Sequence, residues 1–203
     1  MTESVLAPVL PPFPRRPPRV NLVIALALLA ALGAGPVAAD GVQVDKSEIR
    51  FVSKQMGVNV EGSFRKWKAD VVFLPADLAK SKVEFDIDLG SIDLASAESE
   101  TEVKGAPWFN TAKFPVAHFA SSSIRSVGPD KYEFAGTLSI KGVERNAVVP
   151  VVLRKDAAGN SVAEGAFTVK RLEYKIGEGE WADPATVADD VVVRVRMVLA
   201  PGK

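Results

Sequence analysis

The sequence predicts an all-β fold of about eight antiparallel strands, arranged as a sandwich or a barrel. Three observations carry this. Apolar and polar residues alternate with period two from residue 48 onward. Turn-forming residues separate the alternating runs at intervals of roughly 8–12 residues. One segment breaks the alternation and reads as a short helix between strands. Each alternating run has one face for water and one for a core, the pattern of an antiparallel sheet.

In chain order, Ile49, Phe51 and Ser53 alternate with Glu48, Arg50 and Lys54, and Gly57 marks a turn. Val58, Val60, Gly62 and Phe64 then alternate with Asn59, Glu61, Ser63 and Arg65, with a breaker at Pro75. The cleanest run sets Val83, Phe85, Ile87 and Leu89 against Lys82, Glu84, Asp86 and Asp88. Tyr132, Phe134, Gly136, Leu138 and Ile140 form another inward set, between the turn signals Gly128-Pro129-Asp130 and Lys141-Gly142. Ala158-Gly159-Asn160 marks a later turn, and the last run points Val191, Val193, Val195, Met197 and Leu199 inward. The exception is Ala95 to Lys104. Ser96 can cap a helix there, Glu100 and Lys104 form an i,i+4 pair in the favourable order, and Gly105 and Pro107 end it. Trp108 and Phe109 follow at once, so this segment is placed to close one end of a barrel.

Composition narrows the function. The chain has 203 residues, 47% of them hydrophobic and 25% charged, which is globular composition. Its 25 basic and 25 acidic residues balance, with no basic stripe for a nucleic acid. There is no cysteine, hence no disulfide, thiolate metal site or cysteine nucleophile.

The first 39 residues read as a secretory leader. Arg15, Arg16 and Arg19 precede an apolar run from Leu22 to Leu32, and Val37 and Ala39 fit the small-residue cleavage positions. A retained anchor is the alternative, but the run is shorter than the roughly 20 residues a spanning helix needs. Pro17-Pro18 after Arg15-Arg16 fits a twin-arginine signal poorly. Cleavage after Ala39 removes three of the 25 basic and one of the 25 acidic residues, which leaves a mature chain (40–203) of net charge −2. Such a protein has little pull toward anionic lipid surfaces. Lipid contact would then be apolar and internal.

The inward positions include the large aromatics Phe51, Phe64, Phe73, Phe85, Phe134 and Phe167, with small residues at Gly62, Gly136 and Ala166. A barrel of eight strands is at the size where the interior either fills with side chains or holds one ligand. The pattern leaves both open.

Four segments carry a further pattern: Gly57 to Phe64, Ser91-Ile92-Asp93, Trp108 to Ser121 and Tyr132 to Val143, in order along residues 42–200. They resemble, in turn, the G-V-x-V-x-G-x-F, S-I-D, aromatic-F-D-x-x-x-x-P-x-x-x-F-x-S and Y-x-x-x-G-x-L-T-I-K-G-V segments of one family, the YceI-like polyisoprenoid-binding proteins. The resemblance implies an elongated, lipocalin-like eight-stranded barrel in the periplasm, with an isoprenoid chain along its interior. It makes Phe51, Phe64, Phe85, Trp108, Phe109, Phe119 and Phe134 candidate ligand contacts. It implies no cofactor, with a polyisoprenoid or isoprenoid quinone as ligand rather than coenzyme. Three motifs depart from the family: Asp45-Lys46-Ser47 stands in place of a His-Ser pair near the start, Ser99-Glu100 replaces an Arg-Asp pair on the helix, and Arg171-Leu-Glu173-Tyr174-Lys175-Ile176-Gly177 replaces R-x-D-F-G-I-G.

No catalytic constellation competes with this. His118 is the single histidine and cannot form a triad or metal cluster alone. Asp86 and Asp88 fall on the wet face of their strand. Gly177-Glu178-Gly179 lacks the lysine of a phosphate loop and carries a repelling acid. Trp181, just beyond it, is placed to pack across the barrel mouth. Asp183, Asp189 and Asp190 are the one acidic group with cation-like spacing. The expectation is therefore a binding protein, not an enzyme, without metal or nucleic-acid partners. A filled barrel acting as a protein-interaction module is the alternative, and strand edges allow a homodimer.

Overall fold

The alternating runs pair into one curled antiparallel sheet. The structure is a computed structural model and describes residues 41–200. The leader assigned to residues 1–39 lies outside the described residues. The strands are β1 (Glu48–Gln55), β2 (Val58–Phe64), β3 (Trp67–Val72), β4 (Lys82–Asp88), β5 (Ile92–Asp93), β6 (Val116–Gly128), β7 (Lys131–Ile140), β8 (Val143–Lys155), β9 (Ser161–Lys170) and β10 (Asp190–Leu199). Their order in the sheet is β3-β4-β6-β7-β8-β9-β10-β1-β2-β5.

Ten strands stand where the sequence predicts eight, because two runs break in the middle. Only Arg65 and Lys66 separate β2 from β3, and a 3₁₀ turn over Leu89–Ser91 separates β4 from β5. The two breaks are hydrogen-bonded to each other. The Arg65 N–H donates to the Ser91 carbonyl at 3.0 Å, and the Asp88 N–H to the Lys66 carbonyl at 3.1 Å. The Ser91 hydroxyl accepts from the Lys66 N–H at 2.9 Å. The terminal strands of the order, β3 and β5, are thus continuations of β2 and β4.

Turn chemistry sets the register. Met56 and Gly57, with φ of 47° and 81°, join β1 to β2. Lys141 and Gly142, at 51° and 74°, join β7 to β8. Two consecutive positive φ values in a two-residue loop match the twist of the strands they connect. The β8–β9 ladder is shorter than its strands and stops at Val151↔Gly165. The next residue back on β8 is Pro150, which has no N–H to give. Beyond it the chain after β9 fills in: Tyr174 and Ile176 are buried in one cluster with Ile140 and Val149.

The inward sets hold with two corrections. Ala166 is exposed, because Phe167 faces inward and neighbours on a strand alternate; Gly165 is the small residue on the inner face. Val58 is 68% exposed, since its end of β2 runs past the interior. The helix α1 spans Ala97–Lys104, two residues shorter than expected at its start, and the Ser96 side chain caps it by accepting from the Ser99 N–H. No helix among the described residues is long and apolar enough to cross a membrane.

Candidate functional site

The inner face of the sheet encloses two abutting cavities, of about 450 Å³ and about 100 Å³. Their order along the strands shows how they join. On β10, Val191 lines only the larger cavity, Val193 lines both, and Val195, Met197 and Leu199 line only the smaller. On β7, running the other way, Phe134 lines the smaller, Leu138 both and Ile140 the larger. Ile49, Ile87 and Phe167 are shared walls too. The two lie end to end along the strands, as an apolar channel in two parts divided at these shared walls, the waist between them. The larger part alone is within the roughly 300–1,000 Å³ of small-molecule sites.

All seven aromatics singled out from the sequence line this channel. Phe51, Phe64, Trp108 and Phe109 line the larger cavity; Phe85, Phe119 and Phe134 line the smaller. Phe51 lies opposite Gly62 in the β1–β2 register. A Cβ at Gly62 would sit 2.4 Å from the Phe51 ring, so glycine there is what lets the ring lie flat across β2. Phe64 then contacts Phe51 and Phe109 with centroids 5.6 and 6.4 Å apart. Trp108 and Phe109 are carried in by the turn that ends α1: their N–H groups donate to the carbonyls of Gly105 and Val103. Trp181 meets Trp108 at 5.5 Å, as expected of a residue at the mouth. Neither indole Nε1 has a hydrogen-bond partner among the described residues. At the far end Phe73, fully buried, packs edge-on against Tyr132 at 5.0 Å.

Arg171 is the site residue that alternation could not reveal. It is 2% exposed and lines the larger cavity. All five guanidinium N–H donors meet backbone carbonyls: Nε that of Ala188, one terminal nitrogen those of Ile176 and Gly177, the other those of Trp181 and Val187. Burial pushes its pKa below the ordinary arginine value, and Asp189 partly offsets this. Gly177 has φ +76°, and a Cβ there would lie 2.3 Å from the guanidinium. The only sequence trace of this hub is the Arg171-to-Gly177 motif itself. A second cation supports it from outside. The Lys141 ammonium donates to the carbonyls of Pro107 and Lys175 and to Glu178 at 2.9 Å, which joins the Trp108 turn to the segment after β9.

Glu100, one of the residues that departs from the family pattern, anchors α1. Its carboxylate accepts from the Leu94 N–H at 3.3 Å and from Arg65 at 3.1 Å. The Leu94 amide first, then Arg65, hold its pKa below the usual glutamate value. A group with a depressed folded pKa stabilises the fold above its unfolded pKa, and this contribution is lost as pH falls through the folded one. The thermal midpoints of the native protein and of Glu100→Gln are therefore expected to differ at pH 7 and to converge below about pH 4, the ordinary glutamate range. Thermal melts across pH 3–7 check this; a constant difference would contradict it.

The other polar candidates do not converge. His118 faces Asp86 across β4 and β6 at 2.7 Å on the exposed side of the sheet. Asp183 accepts from the Ala185 N–H, Asp189 from the Leu172 N–H, and Asp190 pairs with Lys170.

Comparison with known proteins agrees with this architecture. The model of the YceI-like domain family matches residues 41–199. A UPF0312 protein of Azotobacter vinelandii is 30% identical over 185 residues, 86% of this chain and 95% of the relative. Protein YceI of Escherichia coli O157:H7 is 27% identical over 81% of this chain and 90% of its own length. Among solved structures, Burkholderia cenocepacia BcnA superposes with a TM-score of 0.74 and 38% identity, covering 77% of this chain and 98% of that one. A polyisoprenoid binding domain from Saccharophagus degradans shares the fold at a TM-score of 0.62 and 16% identity, over 80% of this chain and 98% of the other. Family model, relatives and fold agree across the described residues: this chain belongs to the YceI-like family.

Proposed function

We propose that this protein carries or stores a long apolar lipid of isoprenoid type, threaded along the channel inside an elongated barrel. In this reading β2 with β3 and β4 with β5 count as single bent staves, so the barrel has eight. The chain is exported through residues 1–39, works in the periplasm and performs no catalysis. The observation that carries the proposal is the end-to-end placement of two apolar cavities that share Ile49, Leu138 and Val193 as walls. The Saccharophagus degradans relative of this fold, named as a polyisoprenoid binding domain, supports it.

The geometry suits a chain more than a compact ligand. Val191 to Leu199 on β10 spans eight residue steps, about 26 Å at roughly 3.3 Å each. A five-carbon isoprene unit gains about 4 kcal/mol on burial, at about 0.8 kcal/mol per carbon. Association itself costs about 4–15 kcal/mol, so the first few units only offset that cost. A filled barrel serving as an interaction module fits less well, because an interior with a 450 Å³ cavity is not filled.

Titration with isoprenoid quinones of increasing tail length, read by quenching of tryptophan fluorescence, tests the proposal. Trp108 and Trp181 stand in the cavity wall and report directly. Saturable 1:1 quenching is expected, tightening by up to about 1,000-fold for each added isoprene until the channel is full. No saturation at any tail length would reject the carrier function.

A further inference from the structure

We infer that the channel selects lipids with an uncharged head and rejects isoprenoid phosphates, with Glu98 and Glu102 as the specificity-determining residues. This rests on the carrier reading above and adds the chemistry of the head.

Among the described residues, three charged side chains line the channel: Glu98, Glu102 and Arg171, all around the larger cavity. The smaller cavity has none. A polar head must therefore sit in the larger part, near its rim. Arg171 is the cation that could meet a phosphate there, but its five donors are already held by backbone carbonyls. To bind a phosphate oxygen it would have to release a carbonyl in a buried site, which costs about as much as the new bond gains. The other cation nearby, the buried Lys141, is taken up by two carbonyls and Glu178.

The rim has the opposite sign. Glu98 and Glu102 are one turn apart on the face of α1 that borders the cavity, and neither carboxylate has an ion pair or hydrogen bond among the described residues. Like charges at i,i+4 destabilise a helix, and neither carboxylate has an ion pair among the described residues to offset this. The carboxylate that α1 does use structurally, Glu100, points to Arg65 instead. The remaining polar groups at this end, Ser53, Gln55 and Ser99, are neutral and can hydrogen-bond an alcohol or carbonyl head. A phosphate entering this rim meets two carboxylates, and the lining offers no cation besides the fully occupied Arg171. Rim charges of this kind set specificity more than affinity.

A matched pair of probes isolates the effect: a polyprenol and the monophosphate of the same polyprenol, each competing against one fluorescent apolar probe. The tail is identical, so the ratio of the two affinities reads the head alone. The native protein is expected to favour the polyprenol by about tenfold or more at low ionic strength. The preference should shrink several-fold at about 1 M salt, where the screening length falls to about 3 Å. In Glu98→Gln/Glu102→Gln the ratio should fall toward one and lose its salt dependence. Both residues are exposed, so thermal melts of this variant verify that it folds, and the salt series on the native protein reads the same charge without any substitution. Equal or tighter binding of the phosphate, or a ratio that the variant leaves unchanged, would overturn the inference while leaving the carrier reading intact. Binding of neither probe would overturn both.

Discussion

Arg171→Leu is expected to destabilise the protein by about 3–5 kcal/mol, a large share of the total for a domain of this size. The leucine fills part of the space but leaves five carbonyls, of Ile176, Gly177, Trp181, Val187 and Ala188, without their donor. Each carbonyl left buried and unpaired costs about 1–3 kcal/mol, and local rearrangement that admits water recovers only part of this. Arg171→Lys should recover little, because three donors on a flexible stem cannot reproduce a planar fork. The loss falls first on the segment between β9 and β10, which has no sheet ladder of its own. That segment supplies Ile176, Trp181 and Val187 to the cavity wall, so lipid binding should fall with it. Urea unfolding measures the first effect, and amide exchange over residues 176–188 localises it. A shift below about 1 kcal/mol would mean that the carbonyls find water easily and that Arg171 is not the hub described here.

Val193→Trp is expected to block the waist and abolish the advantage of a long tail. Val193 lines both cavities and lies between Phe51 on β1 and Phe167 on β9 in the register. An indole there occupies the passage through which a tail would reach Phe85, Phe119 and Phe134. The lost burial of about one isoprene unit corresponds to a drop of up to about 1,000-fold for long-tailed ligands. The dependence of affinity on tail length should become flat beyond the waist. The substitution carries a packing cost of about 1–3 kcal/mol, which melting temperature monitors. A variant that keeps the native dependence would show that lipid never passes Val193.

The contrast between these two positions explains what could be read from the sequence. Val193 was legible because it sits in a period-two run, and a strand's inner face follows from its alternation. The same holds for Phe51, Phe64, Phe85 and Phe134, and Ser96 and Gly105 bounded α1 through capping rules. Trp108, Phe109 and Phe119 came from motif resemblance, since periodicity says nothing about where a turn after a helix carries its side chains. Arg171 was illegible as a buried hub. Its partners are main-chain carbonyls 5 to 17 residues away in irregular chain, and a carbonyl has no sequence signature. The breaks at Arg65-Lys66 and Leu89–Ser91 were hidden for a related reason. Both bends are held by hydrogen bonds between two distant backbone segments, while the flanking alternation continues almost undisturbed. Ala166 shows that small size alone does not place a residue inside; the neighbouring Phe167 already had that face.

Native mass spectrometry of the protein purified from its own cells, followed by solvent extraction and lipid mass analysis, shows whether the channel holds a lipid. One apolar, uncharged isoprenoid per chain is expected, retained through gentle ionisation and released on denaturation. A protein of bare polypeptide mass that stays bare after incubation with isoprenoid quinones and polyprenols would contradict the carrier function.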